Sequence, residues 1–309
     1  MAHEDAVDDA AQGSEARRPT YPRRPHTPPA SDMRQTGAMR ITAAGFSADD
    51  IEGFRSAQRQ SFAILLEVAA SMQEGWSERA AAKLLFDAFA DHGVDRFFHV
   101  PVALFGARTA LPEPWGLLSF APSGARLGSG TAVIFDASPV IGEYLVDTSY
   151  AWCFGENATH DELRSRNVAF RDSIIESVRD GRSFRDIAAT VDAELRADGL
   201  TNCHRLHPEA VLGHRALKIE GDTSARPIDG FHPLILEWFR DEITAGASEA
   251  LRSPVWNDRE SSDHPPTPGL WAVEPHIARD EVGVKWEELL VVHENGDAEW
   301  LDDDVPHLT

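Results

Sequence analysis

Two aspartates inside apolar strand segments give the clearest chemical signal in this sequence. Asp136 ends the run Val133–Phe135, and Asp147 lies eleven positions further on, within the mostly apolar run 144–154. Turn-forming residues between the two runs predict a β-hairpin. An ionised carboxylate in an apolar strand costs free energy unless a partner neutralises it. One such aspartate is typical of a turn or a cap, but two on one hairpin favour a bound cation.

Further apolar segments are interrupted in the same way later in the chain. His214 lies in the run 210–217, where a single histidine is more typical of a core residue than of a ligand. Glu274 follows another apolar segment, and Glu287 and Glu288 stand between two more. Adjacent residues of a strand point to opposite faces, so only one of these two glutamates can face a shared site. The candidate donors therefore follow the order Asp, Asp, His, Glu, Glu.

Helical segments separate these strands, and one of them is repeated. Ser47 is predicted to cap a helix that ends before Gly75, and Ser77 to cap the next one. Residues 72–94 align without gaps on residues 178–200, with the same Gly-x-Ser start and the same glycine at the end. The repeat predicts two similar halves, each a helix pair followed by strands. Two ordinary amphipathic helices with ordinary caps are the alternative interpretation.

The composition excludes several classes of function. The 309 residues carry 51 acids and 29 bases, a net charge of −22, so a nucleic-acid partner is not expected. No apolar run is long enough to span a membrane, and the N-terminus lacks the features of a signal peptide. The two cysteines, without a CxxC motif, predict a reducing, cytoplasmic location.

Residues 1–45 are predicted to be disordered. This segment is first acidic and then rich in proline and arginine, with few large apolar residues, so it cannot bury enough surface to form a core. The folded part is predicted over residues 46–309. Hydrophobic residues make up 42% of the whole chain, which is enough for a substantial core.

The short sequence motifs around these donors resemble those of the pita-bread metallopeptidase family, which includes methionine aminopeptidase, prolidase, aminopeptidase P and creatinase. VDTSYAWCFG is similar to the family's GDTS-type strand, VLGHRAL to its GHGIG strand, and WAVEPHI to its EP motif. VGVKWEELLVV is similar to its closing R-I-E-D strand, and QEGWSERAAAKLL to its PGxTE helix start. The resemblance extends over 47–305. It implies an α+β pita-bread fold, with two pseudo-symmetric αβ halves around a curved antiparallel sheet, as a single catalytic domain.

The resemblance also implies a dinuclear metal site. Its ligands would be Asp136, Asp147, His214, Glu274 and Glu287. Asp147 and Glu287 would bridge two divalent ions, and Glu274 would act also as a general base. Oxygen-rich donors with one nitrogen favour Mn, Co, Fe or Zn. Two such ions would lower the pKa of a shared water and stabilise an oxyanion.

The residues that handle substrate depart from the family pattern. Glu113 stands where the family has a histidine that contacts the substrate, and His99 is the nearest replacement. The family's second histidine, seven positions after the ligand histidine, is a glycine here, and His207 is a nearby candidate. Arg215 replaces a glycine of the GHGIG motif and is a candidate for binding a substrate carboxylate. The amphipathic segment 232–243 is expected either to cover the pocket or to serve packing or oligomerisation.

These observations predict a metal-dependent hydrolase of C–N bonds. The preferred hypothesis is a peptidase-like enzyme of the Xaa-Pro or aminopeptidase type, acting on a short peptide or an amino-acid derivative. We also expect that the protein can form a homodimer. One alternative is a creatinase-like hydrolase of a small non-peptide metabolite. A second alternative is a catalytically silent domain of the same fold that binds proteins.

Overall fold

The computed structural model describes residues 39–221, 225–249 and 253–309. In these residues the chain forms five α-helices: α1 (Ala48–Ser71), α2 (Glu78–Asp91), α3 (Ala158–Arg179), α4 (Phe184–Ala197) and α5 (Pro233–Glu249). The strands of the first half are β1 (Arg40–Thr42), β2 (Val102–Phe105), β3 (Thr131–Ala137), β4 (Val140–Ile141), β5 (Tyr144–Leu145) and β6 (Thr148–Phe154). Those of the second half are β7 (Thr201–Asn202), β8 (Gly213–Arg215), β9 (Leu217–Glu220), β10 (Val255–Trp256), β11 (Gly269–Val273), β12 (His276–Arg279), β13 (Val282–Lys285), β14 (Glu288–Val292) and β15 (Ala298–Trp300).

The predicted repeat corresponds to the helices α2 and α4. Ser77 caps the first and Ser183 the second, and each hydroxyl accepts a hydrogen bond from the backbone N–H three residues later. Both helices have 14 residues and begin and end 106 positions apart. Each is followed by a glycine in the left-handed region, Gly93 with φ of 77° and Gly199 with φ of 67°, where other residues would be strained. The sequence repeat is therefore a structural repeat.

Two antiparallel sheets hold the candidate donors. The first has the strand order β2–β3–β6, and the second has the order β10–β8–β11–β14–β15. They meet where the backbone N–H of Ser149 donates to the carbonyl of Glu287, at 3.4 Å. This contact joins the first half of the chain to the second.

The alternation along β3 separates the core from the site. Val133, Phe135 and Ala137 pack in one buried cluster with apolar residues of α1 and α2. Ile134 belongs to the cluster on the other side of the strand, with residues of α3 and α4. Asp136 shares the strand face of Ile134 because residues two apart point the same way. Helices α1 and α2 thus cover one face of β3, and Asp136 lies on the other face.

The structure differs from two predicted boundaries. The run 144–154 is interrupted at Asp147, because β5 pairs with β4 and β9 whereas β6 pairs with β3. The tail predicted to be disordered, residues 1–45, lies mostly outside the described residues. Its last residues, however, include a strand. Ile41 on β1 pairs with Ile219 on β9, so main-chain hydrogen bonding orders residues 40–42.

The predicted helix at 232–243 forms the first part of α5. Phe239 on this helix stacks on Phe98, with ring centroids 5.1 Å apart, and lies 5.8 Å from the ring of His214. Helix α5 therefore covers one side of the candidate site. None of the described helices has both the length and the apolar character that crossing a membrane requires.

Candidate metal centre

The hairpin of the first half brings Asp136 and Asp147 together. Asp136 lies on β3 opposite Ser149, and Asp147 immediately precedes β6. Both side chains are buried, with 7% and 3% of their surface exposed. The Oδ1 atom of each has no hydrogen-bond partner among the described residues. Buried acceptors of this kind are costly unless a cation or a donor satisfies them.

The second half supplies three more buried groups. His214 on β8 pairs with Ala272 of β11, Glu274 follows β11, and Glu287 lies between β13 and β14. Nε2 of His214 is 3.3 Å from Oδ2 of Asp147 and 3.5 Å from Oε1 of Glu287. The structure therefore brings the five predicted ligands into one buried region.

The donor atoms form two groups whose members lie within 4.8 Å of one another. One group is His99, Asp136 and Asp147, and the other is Asp147, His214 and Glu287. Asp147 belongs to both, since its Oδ1 faces His99 and its Oδ2 faces His214. Oxygen and imidazole donors in compact, buried groups with unpaired oxygens fit divalent metal ions. Glu274 belongs to neither group.

A lysine that the sequence interpretation missed explains the position of Glu274. Nζ of the buried Lys285 lies 2.6 Å from Asp136 Oδ2, 3.0 Å from Glu274 Oε2 and 2.8 Å from Glu287 Oε2. Burial favours the neutral amine, but the three carboxylates outweigh it and raise the pKa of Lys285 well above its usual value. The ammonium thus neutralises part of the charge, at the place of the arginine in the R-I-E-D motif.

Two histidines extend the site behind Glu274. Nδ1 of His207 is 2.8 Å from Glu274 Oε2, and its Nε2 is 3.0 Å from Nδ1 of His276. Nε2 of His276 donates to the carbonyl of Thr109 at 2.6 Å, so Nδ1 of His276 must accept from His207. A hydrogen bond between His207 and Glu274 then requires one proton on the line between them. The sequence analysis had proposed His207 but not His276.

The charges at the site shift the pKa values of its acids in opposite directions. Burial, reinforced by the charges of Asp147 and Glu274, raises the pKa of Glu287 to about 8. Burial acts in the same sense on Asp147, but the attraction of His99 and His214 outweighs it and holds the pKa of Asp147 well below its usual range. Paired acids whose pKa values are separated are typical of functional sites.

Other predicted residues lie in different surroundings. The guanidinium of Arg215 donates to the carbonyl of Pro268 and to the hydroxyl of Thr267, and it lies 4.1 Å from the ring centroid of Trp271. Glu113 is exposed. Neither arrangement places a charged group in the donor cluster.

Glu288 occupies the opposite face of its strand from the site, as strand alternation predicts. Its Oε1 accepts hydrogen bonds from Arg171 and His307, both at 2.8 Å. This glutamate is therefore part of the packing between β14 and the helix α3.

Comparison with known proteins agrees with this geometry. The model of metallopeptidase family M24 matches residues 52–294. An X-Pro aminopeptidase from Thermotoga maritima superposes with a TM-score of 0.60 at 18% identity, over 84% of this chain and 62% of that chain. A prolidase from Pyrococcus furiosus gives 0.59 at 17% identity, over 82% and 64%. A dipeptidase PepE from Mycobacterium ulcerans gives 0.56 at 17% identity, over 84% and 59%.

The chain spans about three fifths of the length of these solved structures. No functionally curated protein matches its sequence at a significant level. At such low identity the superpositions establish the fold, and they confirm the predicted α+β pita-bread architecture. The family model covers most of the chain, and the chain therefore belongs to metallopeptidase family M24.

Proposed function

We propose that this chain is a divalent-metal-dependent hydrolase of C–N bonds that acts on a short peptide or an amino-acid derivative. The observation that carries the proposal is the pair of compact donor groups that share Asp147. Family membership supports metallopeptidase chemistry. The structural relatives include an X-Pro aminopeptidase and a prolidase, which favours the Xaa-Pro or aminopeptidase type.

The carboxylates and the imidazole have distinct roles in this proposal. Asp136 and Asp147 would hold one ion, while Asp147, His214 and Glu287 would hold the other. The proposal does not retain the bridging role that the resemblance implies for Glu287, because its Oε2 lies 2.8 Å from Nζ of Lys285. Glu274 would offer its remaining oxygen, Oε1, to the second ion. Two ions of Mn, Co, Fe or Zn bound there would polarise the scissile carbonyl and activate a water molecule.

Glu274 is the proposed general base, and His207 is the group that orients it. The hydrogen bond from His207 holds Oε2 of Glu274 at 2.8 Å, and His276 fixes the His207 ring through its own bond to Thr109. A carboxylate held in this way keeps one orientation while it accepts and returns a proton.

The net charge of the site favours two ions during hydrolysis. Four carboxylates, the Lys285 ammonium and the proton shared by His207 and Glu274 carry a net charge of −2, so two divalent ions leave +2. A site with this charge stabilises the negative charge that develops on the amide oxygen in the transition state. One ion would leave the site neutral, which stabilises this charge less.

A second candidate function also rests on Lys285. An ammonium already placed among three carboxylates lowers the need for a metal, which favours a catalytically silent domain of this fold that binds proteins. A creatinase-like activity on a small non-peptide metabolite, with new polar groups in place of the peptide-binding histidines, is the remaining alternative within the hydrolases.

The test is a hydrolysis screen on the full chain loaded with Mn, Co, Fe or Zn. Xaa-Pro dipeptides, tripeptides and small amides would serve as substrates, and Asp147→Asn as the inactive control. Hydrolysis by the wild type that is lost in the variant supports the proposal, and the preferred substrate separates the peptidase from the creatinase-like type. Absence of both hydrolysis and metal uptake would select the silent domain. A cytoplasmic location and a homodimer stay predictions.

A further inference from the structure

We infer that His99 is a metal ligand of this site and contacts the ion held by Asp136 and Asp147, in addition to the acid ligands that the family resemblance implies. The inference rests on the proposed function, because it concerns the same metal site. It departs from the ligand set that the family resemblance implies, which contains a single histidine.

The position of the His99 ring supports the inference. Its Nε2 lies 3.4 Å from Oδ1 of Asp147 and 3.6 Å from Oδ1 of Asp136. Both of these oxygens are buried and have no hydrogen-bond partner among the described residues. An ion between the three atoms would complete the coordination of each, and it would release any proton held at Nε2.

The other nitrogen of the ring is arranged as in metal-binding histidines. Nδ1 of His99 lies 3.1 Å from the backbone carbonyl of Val100, to which it can only donate. This hydrogen bond leaves the lone pair of Nε2 directed at the carboxylates. A backbone carbonyl in this role fixes the tautomer and the ring orientation of ligating histidines in general.

His214 shows the same arrangement in the other half of the chain. Its Nδ1 lies 3.2 Å from the carbonyl of Arg215, and its Nε2 faces Oδ2 of Asp147 and Oε1 of Glu287. The two oxygens of Asp147 thus face two histidines prepared in the same way. The correspondence is one of place rather than of sequence register, so the repeat alone does not predict it.

The backbone around His99 holds the ring in position. The backbone N–H of Phe98 donates to the carbonyl of Ser138, on the hairpin of the two aspartates, at 2.8 Å. The backbone N–H of Val100 donates to the carbonyl of Gly230 at 2.9 Å. The ring also contacts Phe231, with centroids 5.9 Å apart. A residue anchored on both sides can serve as a ligand with little further ordering.

The competing explanation is a charged histidine that pairs with two aspartates and touches no metal. Binding of Co²⁺ to the full chain separates the two. In a Co²⁺ protein, the exchangeable Nδ1–H of each ligating histidine gives a strongly shifted proton resonance. We expect two such resonances in the wild type, from His99 and His214. Only the His214 resonance should remain in His99→Gln, and only the His99 resonance in His214→Gln. Equilibrium dialysis of His99→Gln should show one Co²⁺ site weakened at least about tenfold.

A gain of signal protects the test against a misfolded variant. Cobalt bound to a thiolate gives an intense near-ultraviolet charge-transfer band, so His99→Cys should gain this band on addition of Co²⁺. The wild type provides the background, since its own cysteines, Cys153 and Cys203, are free thiols.

Three results would overturn the inference: one shifted resonance in the wild type, two in His99→Gln, or no band in His99→Cys. Peptide hydrolysis together with any of these results would retain the proposed function and reject the ligand. Two resonances without hydrolysis of any substrate would retain His99 as a ligand and reject the proposed function.

Discussion

Lys285 places a buried positive charge among the carboxylates of the site. Its ammonium contacts Asp136, Glu274 and Glu287 at 2.6–3.0 Å, while only 3% of its side chain is exposed. Removing one partner of a buried charge network leaves the remaining charges uncompensated. The stability of the chain without metal should therefore depend on this lysine.

We expect Lys285→Met to lower the free energy of unfolding of the chelated protein by about 3–5 kcal/mol. Addition of Mn²⁺ should restore most of this loss, because the ion binds the native state and supplies the missing positive charge. Urea unfolding with chelator and with Mn²⁺ measures both effects.

The matched control is Lys218→Met, which removes a lysine paired with Asp50, 2.6 Å away, at a site where 21% of the lysine side chain is exposed. Water screens this more exposed pair, so its loss should lower the stability much less and should not respond to Mn²⁺. Equal losses in the two variants, or no recovery of Lys285→Met with metal, would contradict the assigned role.

His207 acts on the reaction through Glu274, so its replacement should separate turnover from metal content. In His207→Phe, Glu274 loses the hydrogen bond that orients it, and kcat should fall about 10–100-fold with little change in KM. Steady-state kinetics on metal-loaded protein measures the change.

Metal analysis of the same samples should give the wild-type content. His293→Phe, at an exposed histidine, should keep the wild-type rate. A proportional loss of metal and activity in His207→Phe would show that His207 is needed for metal binding and not for the orientation of Glu274.

The sequence predicts the acids of this site better than its other groups. Asp136 and Asp147 stand out because a carboxylate interrupts an apolar run, and this signal does not depend on tertiary structure. Lys285 and His276 lie two residues from Glu287 and Glu274, a spacing that puts two side chains on the same side of an extended segment. That spacing was visible, but which distant carboxylates Lys285 would meet depends on the pairing of strands from both halves.

At the scale of elements, the repeated helices should respond alike to the loss of their caps. Ser77→Ala and Ser183→Ala each remove the acceptor of a backbone N–H, Ala80 in α2 and Asp186 in α4. Each should cost about 1 kcal/mol. The double variant should lose the sum, since independent sites are additive.

Urea unfolding monitored by circular dichroism measures these three variants against the wild type. Ser165→Ala is a suitable control, because this hydroxyl lies within α3 and donates back to the carbonyl of Asp161 rather than capping a helix. Strongly unequal losses at the two caps would show that the structural repeat is not an energetic one.

The caps and apolar periods predicted the helices well because these signals are local. The interruption of the run 144–154 at Asp147 was not predicted, since β5 and β6 differ only in the strands with which they pair. The order of β1 was missed for the same reason. Its few residues gain order from the distant strand β9, and composition alone does not reveal that pairing.

At the scale of the molecule, Asp50 connects the start of α1 to strands of the sheet that contains β5 and β9. Its carboxylate accepts from Lys218 at 2.6 Å, from the Ser47 hydroxyl at 2.7 Å and from Tyr144 at 3.3 Å. The hydrogen bond from Lys218, followed by those from the hydroxyl and the backbone N–H of Ser47, holds the pKa of Asp50 below its ordinary value of 3.8. A depressed pKa stabilises the fold above the ordinary value, and this contribution is lost as the pH falls through the folded-state pKa.

We therefore expect Asp50→Asn to be less stable than the wild type at pH 7 and to approach it as the pH falls below about 4. Urea unfolding at a series of pH values measures the difference. Asp49→Asn, on the exposed side of the same helical turn, should show no such convergence. A difference between Asp50→Asn and wild type that stays constant with pH would exclude the ion pair as its source.

The order of the charged residues along the chain has a consequence for synthesis on the ribosome. Asp136 and Asp147 emerge long before Lys285, which arrives almost together with Glu287. At roughly 5–20 residues per second, the first two carboxylates wait on the order of ten seconds for their counter-charge. The residues of α1, α2 and the hairpin have all been synthesised by then, but burying both aspartates without a counter-charge is unfavourable. The closing strands 282–292 thus permit the hairpin that was made first to reach its final, buried state.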